Sequence, residues 1–273
     1  MKNLKAHRAM DEDYWNGFAQ EYDEFVIDAF TYGRSHEVGN QIKKFASPDL
    51  TAADFGCGPG KLLPFLASKF GRVHGFDFSE KLLEIARARC SGIKNVEIAQ
   101  ADLTQSVESL PLVDVIVSLN AAIMPNTRAR MRFLQGMASR LKPGGILILN
   151  LPSVESLLFT AFRETEWYRH MGHTPRKAES ETDISSLTGP RRAAQGVFRR
   201  GTEPTKHYLR EELIVLVRDE MHLELLEIDK MEYDWTVEFE VDEIPAWLAD
   251  PYPWDWILTA RAPTNALPGK NQG

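Results

Sequence analysis

Three features are scarce in this 273-residue sequence, and each scarcity excludes a class of protein. Its two cysteines, Cys57 and Cys90, are too few for a disulfide framework or a cysteine-based metal site. No apolar run approaches the roughly 20 residues of a membrane-spanning helix, and the acidic first thirty residues lack the apolar core of a secretory signal. With 32 basic against 39 acidic residues, the net charge of −7 disfavours nucleic acid or anionic membrane as a partner. The sequence therefore predicts a cytoplasmic protein without a metal, nucleic-acid or membrane partner.

What the sequence does contain is ordinary globular composition. Apolar residues make up 43% of the chain, which argues against wholesale disorder, and the length suits one sizeable core with insertions. We predict a single domain over residues 1–262, followed by a frayed, disordered tail at 263–273 that contains Pro, Asn and Gly. Its predicted parts are an N-terminal helical cap at 11–45, a core at 50–153, an insertion at 163–206 and a C-terminal part of the core at 207–262.

Short apolar runs alternate with amphipathic segments through residues 50–153, which predicts parallel strands flanked by helices. The cap is predicted to be helical because Trp15, Phe18, Tyr22 and Phe25 recur every three or four residues. The predicted strands are 50–53, 73–77, 96–99, 113–117 and 146–149, then 223–228 and 256–260 after the insertion. The result is an α/β fold with a doubly wound, mostly parallel, seven-stranded sheet and helices on both faces.

The insertion at 163–206, after the fifth strand, interrupts this rhythm. It is polar, contains Gly189-Pro190, and carries the arginine pairs 191–192 and 199–200. Because it is too long for a connecting turn, it is either a lid over a pocket or a partly disordered segment. The arginine pairs could receive an anionic substrate group or be solvated surface.

A glycine-rich turn, Asp-Phe-Gly-Cys-Gly-Pro-Gly at 54–60, follows the first strand. A phosphate-binding P-loop is excluded because Lys61 is followed by Leu62 rather than Ser or Thr. The dinucleotide fingerprint is excluded because Lys61 stands at its third glycine position, and Pro59 removes a backbone N–H that a pyrophosphate would use. The turn therefore suits a nucleoside, and the alternative is a tight strand-to-helix turn that binds no ligand.

Acidic residues follow the next two strands. Asp77 lies about 20 residues beyond Gly56, where a carboxylate can accept the ribose hydroxyl protons of a nucleoside. Asp102 follows the third strand in Gln-Ala-Asp-Leu, and the segment Leu-Lys-Pro-Gly-Gly-Ile-Leu-Ile at 141–148 leads into the fifth strand. With the glycine turn, these motifs resemble the class I S-adenosylmethionine-dependent methyltransferases, which have a Rossmann-like fold. The resemblance covers roughly residues 50–153.

The resemblance implies S-adenosylmethionine as cofactor, S-adenosylhomocysteine as product and no metal. It implies a ribose contact from Asp77, in the motif that includes Phe78, and adenine contacts from Asp102 and Leu103. Further implied cofactor residues are Gly56, Cys57, Gly58 and Gly60 of the turn, Asn120 near the methyl-bearing sulfur, and Tyr22 and Arg34 toward the amino-acid end. Arg34 could equally be a surface residue.

Methyl transfer needs a base only when the acceptor must first lose a proton. The best candidates are His207 and Tyr208, in Lys-His-Tyr after the insertion, and His170 and His173 are weaker ones. Histidine titrates near neutrality and therefore suits the role, although a binding or capping role for His207 is the alternative.

The acceptor is predicted to be a small molecule methylated on O, N or S. The DNA adenine and protein glutamine signature, Asn/Asp-Pro-Pro-aromatic, is replaced by Ser-Leu-Asn-Ala at 118–121, and neither cysteine follows a proline as in cytosine C5 enzymes. A protein or RNA methyltransferase, and a regulatory module that binds the cofactor without turnover, remain alternatives. The aromatic residues near the C-terminus, from Tyr233 to Trp256, either line an apolar pocket or pack in the core. The sequence leaves the oligomeric state open.

Overall fold

The computed structural model describes residues 12–19, 22, 29–182, 190–199 and 203–264. Phe25, Gly189, Arg200 and the residues 265–273, which carried predictions above, lie outside the described residues. Nine strands are present in the described part of the chain: β1 Thr51–Phe55, β2 Arg72–Asp77, β3 Val96–Gln100, β4 Val113–Leu119, β5 Leu141–Pro152, β6 Val197–Arg199, β7 Pro204–Lys206, β8 Glu224–Glu232 and β9 Trp254–Arg261.

Seven of these strands form one sheet in the order β3-β2-β1-β4-β5-β9-β8. Every neighbouring pair is parallel except the two that involve β9, which runs antiparallel to both β5 and β8. The predicted fold class is confirmed, since the sheet is mostly parallel and has helices on both faces. The strand order reverses between β1 and β4, and ligands bind at the carboxyl ends of the strands at such a point.

Helices precede, connect and follow the strands. Their bounds are α1 Glu12–Phe18, α2 Ala29–Tyr32, α3 Glu37–Phe45, α4 Leu63–Ala67, α5 Glu80–Arg89, α6 Thr127–Ser139, α7 Val154–His170, α8 Pro175–Glu181, α9 Pro190–Ala193, α10 Arg210–Val215 and α11 Trp235–Glu238. A π-helical turn, Leu216–Glu220, continues α10, and a 3-10 turn spans Ala246–Leu248. Side-chain caps fix four of the described helix starts: Ser79, Asn126, Ser153 and Thr174 each accept a backbone N–H three residues ahead.

The core lies on both faces of the sheet because side chains alternate along its strands. On β1, Phe55 packs with one apolar cluster, which includes Leu134 and Met137 of α6. Ala52 of the same strand packs with the other cluster, which includes Ile42 of α3. The central strands β4 and β5 are buried on both faces, as their continuous apolar sequences require.

The described part of the insertion is largely regular structure. Helix α7 runs from the end of β5 through residue 170, α8 and α9 follow, and β6 pairs with β7 in an antiparallel ribbon. The polar composition of this segment thus reflects helices with solvated faces rather than a long loop.

The antiparallel strand β9 has a consequence for the site. Because it runs against the others, its first residues lie at the edge of the sheet where the parallel strands end. Asp255 is paired with Pro152 at the end of β5. A residue late in the sequence is therefore brought to the ligand-binding edge.

Among the described residues, no helix is both long and apolar enough to cross a membrane.

Candidate functional site

The glycine turn is held against the second strand by its own backbone. The amides of Gly56 and Cys57 both donate to the carbonyl of Phe76, at 2.8 and 3.0 Å, and Gly60 donates to the carbonyl of Cys57 at 2.9 Å. Gly56, Gly58 and Gly60 all have positive φ, of 81°, 49° and 75°. This left-handed backbone explains why glycine occupies alternate positions.

Each of these glycines also lets another group approach closely. A Cβ on Gly56 would lie 2.4 Å from the Cβ of Ala121, and one on Gly60 would lie 2.8 Å from that of Ala86 in α5. A Cβ on Gly58 would lie 3.3 Å from the hydroxyl oxygen of Tyr22. The turn is thus packed against α5 on one side and against the residues after β4 on the other.

A cavity of about 460 Å³ opens beside this turn. Four predicted cofactor residues line it: Tyr22, Gly56, Cys57 and Asn120. Its other lining residues include Asp54, Lys61 and Leu119. The remaining predicted cofactor residues do not line this cavity.

Asp77 supports the turn with its carboxylate. One oxygen accepts the amide of Gly58 and the other accepts the amide of Ser79, both at 2.9 Å. Burial raises the pKa of this carboxyl group, and the amide hydrogen bonds act in the opposite direction. The side chain therefore fixes the position of Gly58, and its predicted contact with a ribose remains a prediction.

The two residues predicted to hold adenine, Asp102 and Leu103, follow β3. Asp102 is exposed, and its carboxylate accepts the backbone amide and the hydroxyl of Thr104 at 2.9 and 2.7 Å. Leu103 is buried in the core. Phe78 of the ribose motif follows β2 and is partly buried, with its carbonyl accepting the side chain of Gln100. The contacts of these three residues with the cofactor remain predictions.

Arg34 lies away from the cavity. Its guanidinium forms an ion pair with Asp234 and lies over the ring of Tyr252, 3.5 Å from the centroid. Both partners belong to the segments that flank α11 and β9. In this arrangement the predicted pairing of Arg34 with the carboxylate of the cofactor has no support.

Cys57 is a buried thiol. Burial, together with the nearby carboxylates of Asp54 and Asp77, raises its pKa well above the usual value. The thiol stays protonated near neutral pH and does not provide a nucleophile.

The predicted catalytic pair lies beside the ends of β4 and β5. Tyr208 is fully buried, its amide donates to the carbonyl of Pro152, and its hydroxyl donates to the carbonyl of Ala122. Burial raises the pKa of this phenol. A buried phenol that donates to a carbonyl is poorly placed to act as a base near neutral pH, which argues against the predicted role of Tyr208.

His207 is nearly buried, with 9% of its surface exposed. Its Nδ1 lies 3.4 Å from the carbonyl oxygen of Thr205, and its ring meets the edge of Phe198 in the β6–β7 ribbon. Both contacts are with residues of the ribbon, which His207 directly follows. The base role of His207 stays a prediction.

The other histidine candidates lie on the insertion. His170 stacks on Trp247 with the ring centroids 4.1 Å apart, and His173 stacks on Tyr168 at 5.3 Å. Both sit at the far end of α7 from β5.

One polar cluster was missed by the sequence reasoning. Tyr233, at the end of β8, donates its hydroxyl to a carboxylate oxygen of Asp255 at 2.7 Å, and the Asn120 amide nitrogen lies 3.3 Å from the same oxygen. Tyr233 was considered only as an aromatic residue. The available signal was the position of Asp255 at the start of the last strand, which is at the ligand edge only if that strand is antiparallel.

No group of three or more His, Cys, Asp or Glu side chains suited to a metal ion occurs within the described ranges.

Part of the chain is similar to known methyltransferases. A family model described as a methyltransferase domain matches residues 52–145. The trans-aconitate 2-methyltransferase of Streptomyces coelicolor is 35% identical over 115 residues, which cover 38% of this chain and 37% of that protein. The chain spans between 33% and 38% of the length of three curated relatives, this enzyme among them.

Solved structures share the fold. The N-methyltransferase NodS of Bradyrhizobium japonicum, in complex with S-adenosyl-L-homocysteine, superposes with a TM-score of 0.55 at 14% identity, over 91% of this chain and 99% of that one. A chain in the complex of the Haloferax volcanii Trm112 methyltransferase activator with its methyltransferase partner gives a TM-score of 0.59 at 17% identity, over 94% and 100% of the two chains. Residues 52–145, the part of the chain that carries the resemblance, match a methyltransferase domain, and the strand order and these neighbours show that the chain has the Rossmann-like fold of S-adenosylmethionine-dependent methyltransferases.

Proposed function

We propose that this protein transfers the methyl group of S-adenosylmethionine to a small-molecule acceptor and releases S-adenosylhomocysteine. The observation that carries the proposal is the cavity between the glycine turn and Asn120, at the strand edge where ligands bind in this fold. The matched methyltransferase family supports the same chemistry.

The residues of the site fit the cofactor. Gly56 lines the cavity without a side chain, and Tyr22 lies against Gly58. Asn120 places a buried side-chain oxygen there that has no hydrogen-bond partner among the described residues. We propose that Gly56 and Tyr22 contact the methionine portion and that Asn120 faces the methyl group to be transferred. Asp77 fixes the turn and reaches the ribose.

When bound, the cofactor supplies an electrophilic methyl group and a neutral thioether leaving group. The residues of the chain then have to align the acceptor and exclude water, and no acid is required for the leaving group. Asp54 and Asn120 are the cavity-lining groups best suited to hold polar atoms in place, because both are at or near the ends of central strands.

A small-molecule acceptor is supported by two observations. The curated relative from Streptomyces coelicolor is a trans-aconitate 2-methyltransferase, and the NodS structure is of an N-methyltransferase. The chain has a net charge of −7, which disfavours a polyanionic substrate such as RNA.

The second candidate is a protein or RNA methyltransferase that works with a partner protein. It is favoured by the structural neighbour solved with the Trm112 methyltransferase activator. A regulatory module that binds the cofactor without turnover is the third reading.

Incubation with methyl-labelled S-adenosylmethionine and a cell extract tests the proposal. After separation into small molecules, protein and RNA, we expect label among the small molecules. Label in protein or RNA would support the second candidate instead. Absence of transfer by a protein that binds the cofactor in calorimetry would support the regulatory module.

The cofactor assignment has its own test in Asp77→Asn. This change weakens the hydrogen bonds to the glycine turn and to a ribose, and we expect the Kd for S-adenosylmethionine to rise by about tenfold or more. Asp49→Asn is the matched control, because Asp49 is exposed and precedes β1 at the opposite edge of the sheet. Equal affinities for the two variants in calorimetry would remove Asp77 from the site.

A further inference from the structure

A polar chain of three side chains links the cavity to the last two strands of the sheet. Asn120 lines the cavity directly after β4, Asp255 begins β9 and Tyr233 follows β8. The hydroxyl of Tyr233 is 2.7 Å from a carboxylate oxygen of Asp255, and the amide nitrogen of Asn120 is 3.3 Å from that same oxygen. The Tyr233–Asp255 pair thus stands directly behind Asn120.

This contact determines which way the amide of Asn120 faces. A carboxylate accepts hydrogen bonds only, so the amide nitrogen must face Asp255 and the amide oxygen must face away from it. The oxygen is buried and has no hydrogen-bond partner within the part of the chain that the structure describes. An unsatisfied buried acceptor destabilises a protein. A ligand with an N–H or O–H group would remove that destabilisation.

The backbone holds Asn120 in the same position. Its φ of 50° is left-handed, a conformation that asparagine adopts more readily than most residues. The next residue, Ala121, packs against the space that a Cβ on Gly56 would occupy. Asn120 is therefore fixed beside the glycine turn.

The charge behind Asn120 is negative at neutral pH. Burial raises the pKa of Asp255 to about 6, and the hydrogen bonds from Tyr233 and Asn120 act in the opposite direction. Glu238 of α11 adds to the negative potential, and burial together with Asp255 raises the pKa of Tyr233, which stays neutral. A group that gains positive charge at Asn120 is favoured, and a carboxylate is disfavoured.

We propose that Asn120, oriented by the Tyr233–Asp255 pair, forms a subsite that receives the N–H group of an amine acceptor. This inference rests on the proposed function. Asn120 is the contacting residue, and Asp255 and Tyr233 are positioning residues that act through it.

The subsite suits the charge movement of the reaction. The lone pair of the neutral acceptor amine forms the new N–C bond while the C–S bond breaks, and the electrons of that bond remain on sulfur. Positive charge moves from sulfur to nitrogen, and the amine leaves as a methylammonium group that retains its N–H proton. The hydrogen bond to Asn120 and the attraction to Asp255 both strengthen as this charge develops.

A pair of ligands tests the subsite without knowledge of the acceptor. Sinefungin carries an amine in place of the methyl sulfonium of the cofactor, and S-adenosylhomocysteine lacks that group. Their ratio of Kd values, measured by calorimetry, isolates recognition of the amine. We expect the wild-type protein to bind sinefungin about tenfold or more tightly than S-adenosylhomocysteine at pH 7.5.

Three variants show which side chains cause the preference for sinefungin. Asp255→Asn removes the charge with little change in shape, Tyr233→Phe removes one hydrogen bond, and Asn120→Gly removes the side chain at a φ that glycine accepts. We expect the first and third to abolish most of the preference. Because the preference is a ratio of two Kd values, a loss of affinity that is common to both ligands cancels. Glu224→Gln is the matched control, because it removes one charge from the opposite end of the β8–β9 pair.

Measuring the same ratio of Kd values over a range of pH separates the effect of the Asp255 charge from a general structural effect. The preference of the wild-type protein should decline below pH of about 6, as Asp255 becomes protonated, and should not change in Asp255→Asn. A preference that is the same in wild type, Asp255→Asn and Asn120→Gly would overturn the subsite. Failure to bind S-adenosylhomocysteine at all would instead overturn the proposed function, so the two failures are distinguishable.

Discussion

Asn120 and Gly56 constrain one another at the scale of single residues. Gly56 has no Cβ, and the position where one would lie is 2.4 Å from the side chain of Ala121. Because position 56 is glycine, the residues after β4 approach the turn more closely than a side chain at that position would permit. This close approach brings Asn120 to the cavity. The spacing of the glycines is thus a packing requirement as well as a requirement of backbone conformation.

The buried carboxyl of Asp255 predicts a dependence of stability on pH. Its pKa is raised from 3.8 to about 6 in the folded protein. A raised pKa means that the folded state holds the proton more tightly than the unfolded state does. The stabilising contribution is therefore complete below about pH 4 and is lost as the pH rises through about 6.

Asp255→Asn should remove this loss of stability. Relative to wild type, we expect the variant to gain about 1–3 kcal/mol in the free energy of unfolding between pH 4.5 and pH 8. Urea denaturation at the two pH values measures the change, and Glu224→Gln serves again as the control. A constant difference between variant and wild type across this range would show that Asp255 titrates normally.

At the scale of elements, helix α7 is attached to the segment between β8 and β9 by aromatic and cationic contacts. Trp247 stacks on His170, and its ring lies 5.5 Å from the guanidinium carbon of Arg163. Trp167 packs on Trp247 and on Phe239, with centroid distances of 6.2 and 5.4 Å. The insertion is thus joined to the C-terminal part of the chain, and the late aromatic residues serve chiefly in packing.

Trp247→Ala tests this attachment. We expect a loss of about 1–3 kcal/mol, because the indole is only 36% exposed and three side chains pack on it. Hydrogen exchange should become faster in α7 and in residues 235–248 and stay unchanged in β1 and β4. Leu112→Ala, at a side chain that is 50% exposed, is the control. Equal acceleration across the whole sheet would contradict a local attachment.

At the scale of the whole molecule, the sheet brings together residues that are far apart in sequence. The turn after β1, the residues after β4 and the start of β9 meet at one edge because β9 runs antiparallel to its neighbours. A ligand at this edge contacts several strands at once. Its binding should therefore stabilise the entire domain.

S-Adenosylhomocysteine at a hundredfold excess over its Kd should add about 2.7 kcal/mol of stability. For a chain of this size, we expect the thermal midpoint to rise by about 5–10 °C. Differential scanning fluorimetry measures the shift. NAD is the control ligand, because the glycine turn lacks the dinucleotide spacing and Pro59 lacks an amide donor. An equal shift with NAD would mean that the turn binds phosphates after all.

Periodicity and turn chemistry predicted the fold from the sequence. The strand predicted at 73–77 is β2, and the strand predicted at 113–117 lies within β4. The insertion was predicted less well, since a polar composition does not separate solvated helices from loops. Arg34 and Tyr208 were predicted at the site, and their partners in the structure are Asp234 and the carbonyl of Ala122. Such partners depend on packing between distant segments, which spacing along the chain does not specify.

By itself, the sequence determined the resemblance to methyltransferases, the cofactor class and the glycine turn, because these depend on local backbone conformation and on motifs within a hundred consecutive residues. The tertiary structure decided the surroundings of the reacting group. Asp255 lies 135 residues beyond Asn120, and only the antiparallel course of β9 brings the two side chains within 3.3 Å. The negative charge of Asp255 beside Asn120 therefore depends on the sheet topology, since no local pattern in the sequence places the two residues together.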